Sequence, residues 1–174
     1  MAPNKPLRLP LAVAEMDRAA HLRSDESYLT SSWPTAQVLI FTDEKFATKD
    51  DQLFYESGAS LGQYQDQNDY FLGTKDSKAY FVRDLQSGEI AGLDFKTLRQ
   101  IGASLSPTDI GLAVHAQALA NWHTKHPRCS QCGSPTKVAL AGAVRRCEAD
   151  QSEHYPRTDG AIIVLVKDNQ NRIL

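Results

Sequence analysis

The sequence predicts an α+β fold in which strands precede the longest helix. Residues 37–42 (QVLIFT) form a continuous run of apolar and β-branched side chains, typical of a buried strand. Residues 70–82 contain two strand-like runs around a short polar segment, which indicates a hairpin. Ser106-Pro107 has the residue types of a helix start. Because strands come first and the long helix follows, we expect one α+β domain over residues 1–124.

Shorter helices and the core can also be predicted. Helices are expected over residues 13–22, near Tyr28 and over residues 95–103. The segment 43–68 gives only scattered strand-like pieces. The long helix is expected to bury a stripe at four-residue spacing, made of Ile110, Val114, Ala118 and Trp122. The expected core contains Val38, Ile40, Phe71, Phe81, Leu98, Val114 and Leu119.

Composition places the chain among ordinary globular proteins. It has 174 residues, of which 41% are hydrophobic and 23% are charged. A net charge of -2 provides no electrostatic signature of nucleic-acid binding. No apolar run approaches the roughly 20 residues that span a bilayer, and no signal-peptide core follows the N-terminus. We therefore expect a cytoplasmic protein without a membrane or nucleic-acid partner.

The three cysteines lie near the C-terminus in a pattern typical of metal binding. Cys129 and Cys132 form a Cys-x-x-Cys pair, and Gly133 after them permits the positive φ that closes a knuckle. Cys147 follows after fourteen residues, a spacing that suits the hairpin of a zinc ribbon. An odd number of cysteines is a poor disulfide framework. The pattern predicts a structural zinc site.

A fourth cysteine is absent from the sequence, which leaves the fourth ligand open. Asp150 is spaced from Cys147 as Cys132 is from Cys129, whereas His154 is the softer donor. Spacing favours Asp150, so the predicted set is Cys129, Cys132, Cys147 and Asp150. The competing interpretation is a ribbon that has lost its metal and keeps its cysteines as small apolar residues.

Several stretches together resemble one family. Residues 118–136 (ALANWHTKHPRCSQCGSPT) resemble the helix-to-ribbon junction of NADH pyrophosphatases in the Nudix superfamily. Residues 153–159 (EHYPRTD), followed by 161–166, are similar to the family's entry into its catalytic domain. Residues 16–23 (MDRAAHLR) and 71–73 (FLG) resemble its N-terminal domain. The resemblance is patchy in the first half of the chain and close after the long helix.

The resemblance implies a domain organisation and an activity. It implies a Nudix-like N-terminal domain over residues 1–124, a zinc ribbon over 125–157, and the first strand of a truncated Nudix domain over 158–174. Members of the family split the diphosphate of NAD(H) into nicotinamide mononucleotide and AMP, and a homodimer is implied. The family has two Cys-x-x-Cys pairs, and here the second is Cys147-Glu148-Ala149-Asp150.

Catalytic residues are not expected in this sequence. The carboxylate-rich Nudix box that holds Mg²⁺ or Mn²⁺ is absent from it. The resemblance implies that those metals belong to a missing catalytic part, and that the chain is inactive alone. It also implies substrate contacts for Tyr155 and Arg99. Packing of Tyr155 on the ribbon is an equal alternative, and for Arg99 the residue pattern favours simple exposure on a helix.

A second class of function is also compatible with the sequence. A free-standing zinc-ribbon adaptor would bind protein or nucleic acid, but such ribbons expose basic and aromatic side chains, and this one offers only Lys137, Arg145 and Arg146. Arg145-Arg146 is expected on a solvated strand face. His115, His123 and His126 are expected at the surface or as helix caps.

Overall fold

The computed structural model describes residues 15–85, 88, 90–158 and 162–173. Within this part of the chain, seven strands form one sheet. They are β1 Gln37–Thr42, β2 Lys45–Lys49, β3 Gln52–Leu53, β4 Tyr55–Ser57, β5 Asp69–Lys75, β6 Lys78–Asp84 and β7 Asp94–Thr97. The helices around it are α1 Glu26–Ser32, α2 Leu98–Ile101 and α3 Pro107–Lys125. The predicted α+β class is confirmed.

Strand β1 lies at the centre of the sheet. It pairs in parallel with β6 on one edge, while β2 and β4 share its other edge. Residues 38–42 are all buried because strands cover both edges and side chains cover both faces. The predicted hairpin is β5–β6, with a register shift between Phe71 and Gly73. The buried strand and the hairpin are both confirmed.

Alternate residues of β1 enter two separate cores. Leu39 and Phe41 pack on the face covered by α3, and Val38 and Ile40 pack on the face covered by α1 and Trp33. The sheet is therefore the middle of three layers. Of the expected core, five residues are buried and two, Leu98 and Val114, are half-buried; the buried five are Val38, Ile40, Phe71, Phe81 and Leu119.

Helix α3 begins as predicted but buries a different stripe. Ser106 Oγ accepts a hydrogen bond from the backbone N–H of Asp109 at 3.1 Å, with Pro107 in the first turn. Ala118, on the predicted stripe, is exposed. Each four-residue step turns a helix about 40° past a full rotation, so a strict four-residue stripe leaves the core. The buried residues follow one helix face, where neighbours are three or four residues apart: Ile110, Leu112, Ala113, Ala116, Leu119, Ala120 and His123.

Two expected helices are largely absent. Residues 94–97 form β7, paired with β2, so the helix expected over 95–103 begins only at Leu98. Of the helix expected over 13–22, residues 13 and 14 lie outside the described residues, and only a 3-10 helix, Ala20–Leu22, forms. Asp17 instead exchanges two backbone hydrogen bonds with Thr74 of β5, at 3.1 and 2.8 Å. Pairing to the sheet edge replaces helical bonds in both segments.

The strands of the segment 43–68 were hard to predict because of their turns. Asp43-Glu44 joins β1 to β2 and Asp50-Asp51 joins β2 to β3, with φ between 45° and 61° at all four residues. Two consecutive positive φ values are typical of the turns that match strand twist in hairpins, where glycine or asparagine is the usual signal. Since these turns use acidic residues, the sequence lacked the expected marker.

The end of the chain differs from its expected form. Residues 162–166 lie outside any strand, and Ile162 to Val166 are exposed, by 53% to 103%. The apolar run 161–166 predicts a buried strand; this prediction is wrong for the described residues, and Ala161 lies outside them. A turn follows, and Lys167 bridges Ile173 antiparallel, as a return strand predicted from Arg172 and Ile173 would. None of the helices in the described ranges is long and apolar enough to cross a membrane.

A second, three-stranded antiparallel sheet follows α3. Its strands are β8 Thr136–Ala139, β9 Val144–Cys147 and β10 Glu153–His154, and a 3-10 helix, Leu140–Gly142, joins the first two. We call this sheet and its loops the ribbon. Gln67 covers the free edge of β8, where its side chain accepts from Val138 N at 3.0 Å and donates to Val138 O at 3.2 Å.

The ribbon docks on α3 through a buried polar cluster. Arg145 of β9 donates to Thr136 Oγ1 at 2.7 Å and Thr136 O at 2.7 Å, and its Nη1 lies 3.2 Å from His123 Nδ1. His123 Nε2 lies 2.9 Å from Gly142 O. We call Tyr70, His123, Thr136, Gly142 and Arg145 the module interface. Arg145 and His123 are 8% and 4% exposed, so their expected places at the surface are wrong.

The contacts of His123 fix its protonation state. The Gly142 carbonyl can only accept, so Nε2 carries a hydrogen, and Nδ1 must then accept from Arg145. The ring packs on Tyr70 with centroids 4.4 Å apart. Burial lowers the pKa of His123 from 6.5 to about 4, and the Arg145 charge adds to this lowering against the hydrogen bond to Gly142. The folded state therefore requires a neutral imidazole.

We predict that this histidine makes stability pH-dependent. The unfolded chain binds a proton near pH 6.5 and the folded chain only near pH 4, so stability is complete above pH 6.5 and falls as the pH decreases towards 4. The contribution of His123 is at most about 3 kcal/mol. Urea unfolding of the wild type and of His123→Gln, between pH 4 and 8, measures it as the difference between the two profiles.

A matched control separates this contribution from that of a second histidine. Burial also lowers the pKa of His115, to about 3, with Arg18 and Arg23 adding to the effect. His115→Gln should flatten its own share of the profile and leave the share of His123 intact. Parallel profiles for the wild type and His123→Gln would contradict the assigned role of His123.

Candidate metal centre

The first knuckle is a tight loop closed by backbone hydrogen bonds. Gly133 N donates to Cys129 O at 3.0 Å, and Cys129 N donates to Ser134 O at 2.8 Å. Gly133 has a φ of 77°, the conformation that its position after the Cys-x-x-Cys pair predicts. The backbone N–H of Gln131 points at Cys129 Sγ, 3.3 Å away. This N–H favours a negatively charged sulfur, the form that binds metal.

The second knuckle repeats this geometry with different residues. Ala149 N donates to Cys147 Sγ at 3.4 Å, as Gln131 N does to Cys129. Cys147 N donates to Ser152 O at 2.9 Å. Gln151, at the position that corresponds to Gly133, has a φ of 60°. The turn is therefore formed without glycine, and Asp150 takes the place that Cys132 has in the first knuckle.

Four donor atoms converge between the knuckles. The ligand atoms of Cys129, Cys132, Cys147 and Asp150 all lie within 4.8 Å of one another. The Sγ atoms of Cys132 and Cys147 are 3.5 Å apart, and Cys129 Sγ is 3.6 Å from Asp150 Oδ2. In a tetrahedral zinc site with bonds of about 2.3 Å, sulfur atoms lie about 3.8 Å apart. The donor set and its spacing fit a zinc ion.

Ser152 contacts two of the four donors, Asp150 and Cys129. Its hydroxyl donates to Asp150 Oδ1 at 2.5 Å and its backbone N–H at 2.9 Å, and these bonds hold the pKa of the Asp150 carboxyl well below its usual range. The hydroxyl oxygen also lies 3.4 Å from Cys129 Sγ, but its single hydrogen is given to Asp150 and cannot be donated to the sulfur at the same time. The Asp150 carboxyl is therefore prepared in its metal-binding, deprotonated form.

His154, the other candidate for the fourth ligand, lies beside the four donors. Its Nε2 is 3.2 Å from Ser152 Oγ, and its Nδ1 is 3.4 Å from Ser130 Oγ. It contacts the hydroxyl that positions Asp150 rather than the donor cluster itself. Sequence reasoning missed Ser152; its backbone N–H closes an Asx turn on Asp150, which any residue two positions after an aspartate could do.

The two expected substrate contacts lie on different exposed surfaces. Tyr155 follows β10 and is 59% exposed, and its hydroxyl donates to Glu153 Oε2 at 2.6 Å. Arg99 lies on the exposed side of α2, which packs beside β7 of the larger sheet. Among the described contacts, no hydrogen bond joins them. The geometry of this chain therefore leaves both substrate roles as predictions.

The fold and the donor cluster define a class: an α+β domain followed by a zinc-ribbon module. Comparison with family models supports this class and adds a family. Residues 18–122 match an NADH pyrophosphatase-like rudimentary NUDIX domain, and residues 125–155 match an NADH pyrophosphatase zinc ribbon domain. The chain belongs to the NADH pyrophosphatase family of the Nudix superfamily. The resemblance inferred from the sequence is confirmed.

Curated relatives have names consistent with this family. The chain is 29% identical over 163 residues to the NAD-capped RNA hydrolase NudC of Mycobacterium tuberculosis, a match that covers 90% of this chain and 52% of the relative. It is 38% identical over 80 residues to the human mitochondrial NAD(P)H pyrophosphatase NUDT13, covering 46% of this chain and 23% of the relative. The chain thus spans about half, or less, of these relatives.

Proposed function

We propose that this chain is the non-catalytic N-terminal part of a hydrolase that splits the diphosphate of NAD(H) into nicotinamide mononucleotide and AMP. The observation that carries the proposal is the family match across both the larger sheet and the ribbon. The relatives' names, an NAD-capped RNA hydrolase and an NAD(P)H pyrophosphatase, support dinucleotide chemistry. Hydrolysis would require Mg²⁺ or Mn²⁺ held by a carboxylate cluster outside these 174 residues.

Zinc has a structural role in this proposal. Cys129, Cys132, Cys147 and Asp150 supply four protein donors, which leaves no coordination position for a substrate or an activated water. Zinc would hold the two knuckles together and so fix β8, β9 and β10 relative to one another. A ribbon of this size has a small core, and a metal supplies the missing stability.

The remaining roles follow from the family and belong to the same proposal. Residues 1–124, 125–157 and 158–174 would act as the Nudix-like domain, the ribbon and the start of the catalytic domain. Tyr155 would lie against a ring of the dinucleotide, and Arg99 would contact the substrate. We also propose a homodimer, as membership of this family implies. The three free thiols suit the reducing cytoplasm.

We predict that zinc content distinguishes the ligands from their neighbours. Asp150→Ala and Cys132→Ser remove a donor and should be purified with well under one zinc per chain. His154→Ala removes only a contact to Ser152 and should retain about one zinc per chain, with affinity reduced at most about 10- to 100-fold. Elemental analysis of protein prepared without chelator is the measurement.

Two outcomes with the same samples would contradict this assignment of the ligands. Zinc that stays with Asp150→Ala but leaves His154→Ala would make His154 the fourth ligand. A wild-type protein that never holds zinc, even after refolding with the metal, would mean that packing alone maintains the ribbon.

We predict that the chain alone does not hydrolyse NADH, because its sequence lacks the Nudix box whose carboxylates would hold the activating metal. Incubation with NADH and Mg²⁺ or Mn²⁺, followed by chromatography for AMP, measures this. The proposal would be overturned if NADH turnover persisted through repeated purification and was also seen in a zinc-free preparation. That result would place the catalytic residues within this chain.

A further inference from the structure

A cavity of about 520 Å³ lies between the larger sheet domain and the ribbon. Arg23, Glu26 and Tyr64 line it from the first module, and Leu140, Ala141 and Arg146 line it from the second. Its volume falls in the range of about 300–1,000 Å³ that is usual for small-molecule sites. Since both modules contribute walls, the cavity exists only when the ribbon is docked.

One wall of the cavity carries a positive charge without a counter-ion. Arg23 is half-buried, and its Nη1 donates to the backbone carbonyl of Phe71 at 2.8 Å. Burial lowers the pKa of Arg23 to about 10, and the neighbouring Arg18 lowers it further. Across the described residues, no carboxylate forms an ion pair with Arg23. The guanidinium also lies over the Phe71 ring, 5.5 Å from its centroid. A partly desolvated guanidinium with these neutral contacts and no carboxylate partner is a binding group for an anion such as phosphate.

Two acidic side chains face the same cavity. Glu26 and Asp66 line it, and neither side chain has a hydrogen bond or an ion pair in the described part of the chain. The second arginine of the wall, Arg146, is already neutralised by Glu153 at 2.7 Å. The available charges are therefore one guanidinium and two carboxylates. A ligand that complements them carries both an anionic and a cationic group.

The cavity also offers a fixed aromatic ring. Tyr64 packs edge-on against Trp33 and Phe81, with centroids 5.6 and 5.9 Å away. Burial raises the pKa of Tyr64, and the negative charges of Asp69, Asp66 and Glu26 raise it further, in that order. A cationic ring near Tyr64 would gain from the aromatic face and from these carboxylates together.

The ribbon wall is built from an uncommon backbone turn. Leu140, Ala141 and Gly142 have φ values of 47°, 50° and 92°, three consecutive residues in the left-handed region. A Cβ on Gly142 would lie 2.6 Å from Tyr70 Cβ, and Gly142 O is bound by His123. Non-glycine residues held in this conformation cluster at ligand sites. The module interface therefore holds a strained turn against the cavity.

From these features we infer that the cavity binds a nucleoside monophosphate with a positively charged ring, namely nicotinamide mononucleotide. Its phosphate lies at Arg23, its ribose hydroxyls are within reach of Glu26 and Asp66, and its cationic ring lies near Tyr64. The choice of nucleotide rests on the proposed function, in which this molecule is a product. Because both modules line the cavity, binding there couples the concentration of nicotinamide mononucleotide to the docking of the ribbon.

Isothermal titration calorimetry of the whole chain tests the inference with four ligands. They are nicotinamide mononucleotide, its reduced form with a neutral ring, AMP and inorganic phosphate. We expect the oxidised mononucleotide to bind at least tenfold more tightly than each of the other three. No measurable binding at millimolar concentration, or equal affinity for the oxidised and reduced forms, would overturn the assignment.

Variants locate the binding to this cavity. Arg23→Gln and Asp66→Asn should each weaken binding at least tenfold, whereas the surface changes Arg172→Gln and Asp43→Asn should leave it unchanged. If Arg23→Gln fails to fold because its bond to Phe71 is lost, Asp66→Asn and Glu26→Gln decide the question. Full binding by both acidic variants would overturn the inference. Binding requires no hydrolysis, so its failure is distinct from a failure of the proposed function.

Discussion

The structure depends on one buried arginine. Arg145 joins the ribbon to the larger domain, because its guanidinium contacts Thr136 within the ribbon and His123 on α3 at the same time. A buried guanidinium is costly unless its donors are satisfied. Here three of its nitrogen atoms have acceptors, and one acceptor, His123 Nδ1, is available only while the imidazole stays neutral. Docking and protonation are therefore linked.

The contact between Arg145 and His123 affects both the candidate metal centre and the cavity. Cys147 lies on β9 two residues after Arg145, so the position of Arg145 also sets the position of a metal donor. On the other side, His123 binds Gly142 O and holds the left-handed turn that lines the cavity. In the proposed function zinc would fix the ribbon internally, while the module interface fixes it externally. Neither would orient β8 and β9 alone, because the three-stranded sheet has a small core of its own.

Sequence reasoning succeeded where local patterns decide the structure. The buried strand β1, the β5–β6 hairpin, the start of α3 at Ser106 and the spacing of the metal donors all follow from neighbouring residues. It failed where distant contacts decide. Residues 94–97 join β2 instead of extending α2, and Arg145 and His123 are buried because two modules meet there. A basic pair on a strand gives no local indication of which arginine faces a partner element.

A double-mutant cycle between His123 and Arg145 tests the central claim most directly. The free energies of unfolding of the wild type, His123→Gln, Arg145→Met and the double variant are measured at pH 7.5, where His123 is neutral in both states, with zinc in excess. We predict that the two losses are not additive and that the coupling lies between about 0.5 and 3 kcal/mol. Additivity within about 0.3–0.5 kcal/mol would show that these residues contribute independently, and would contradict the account.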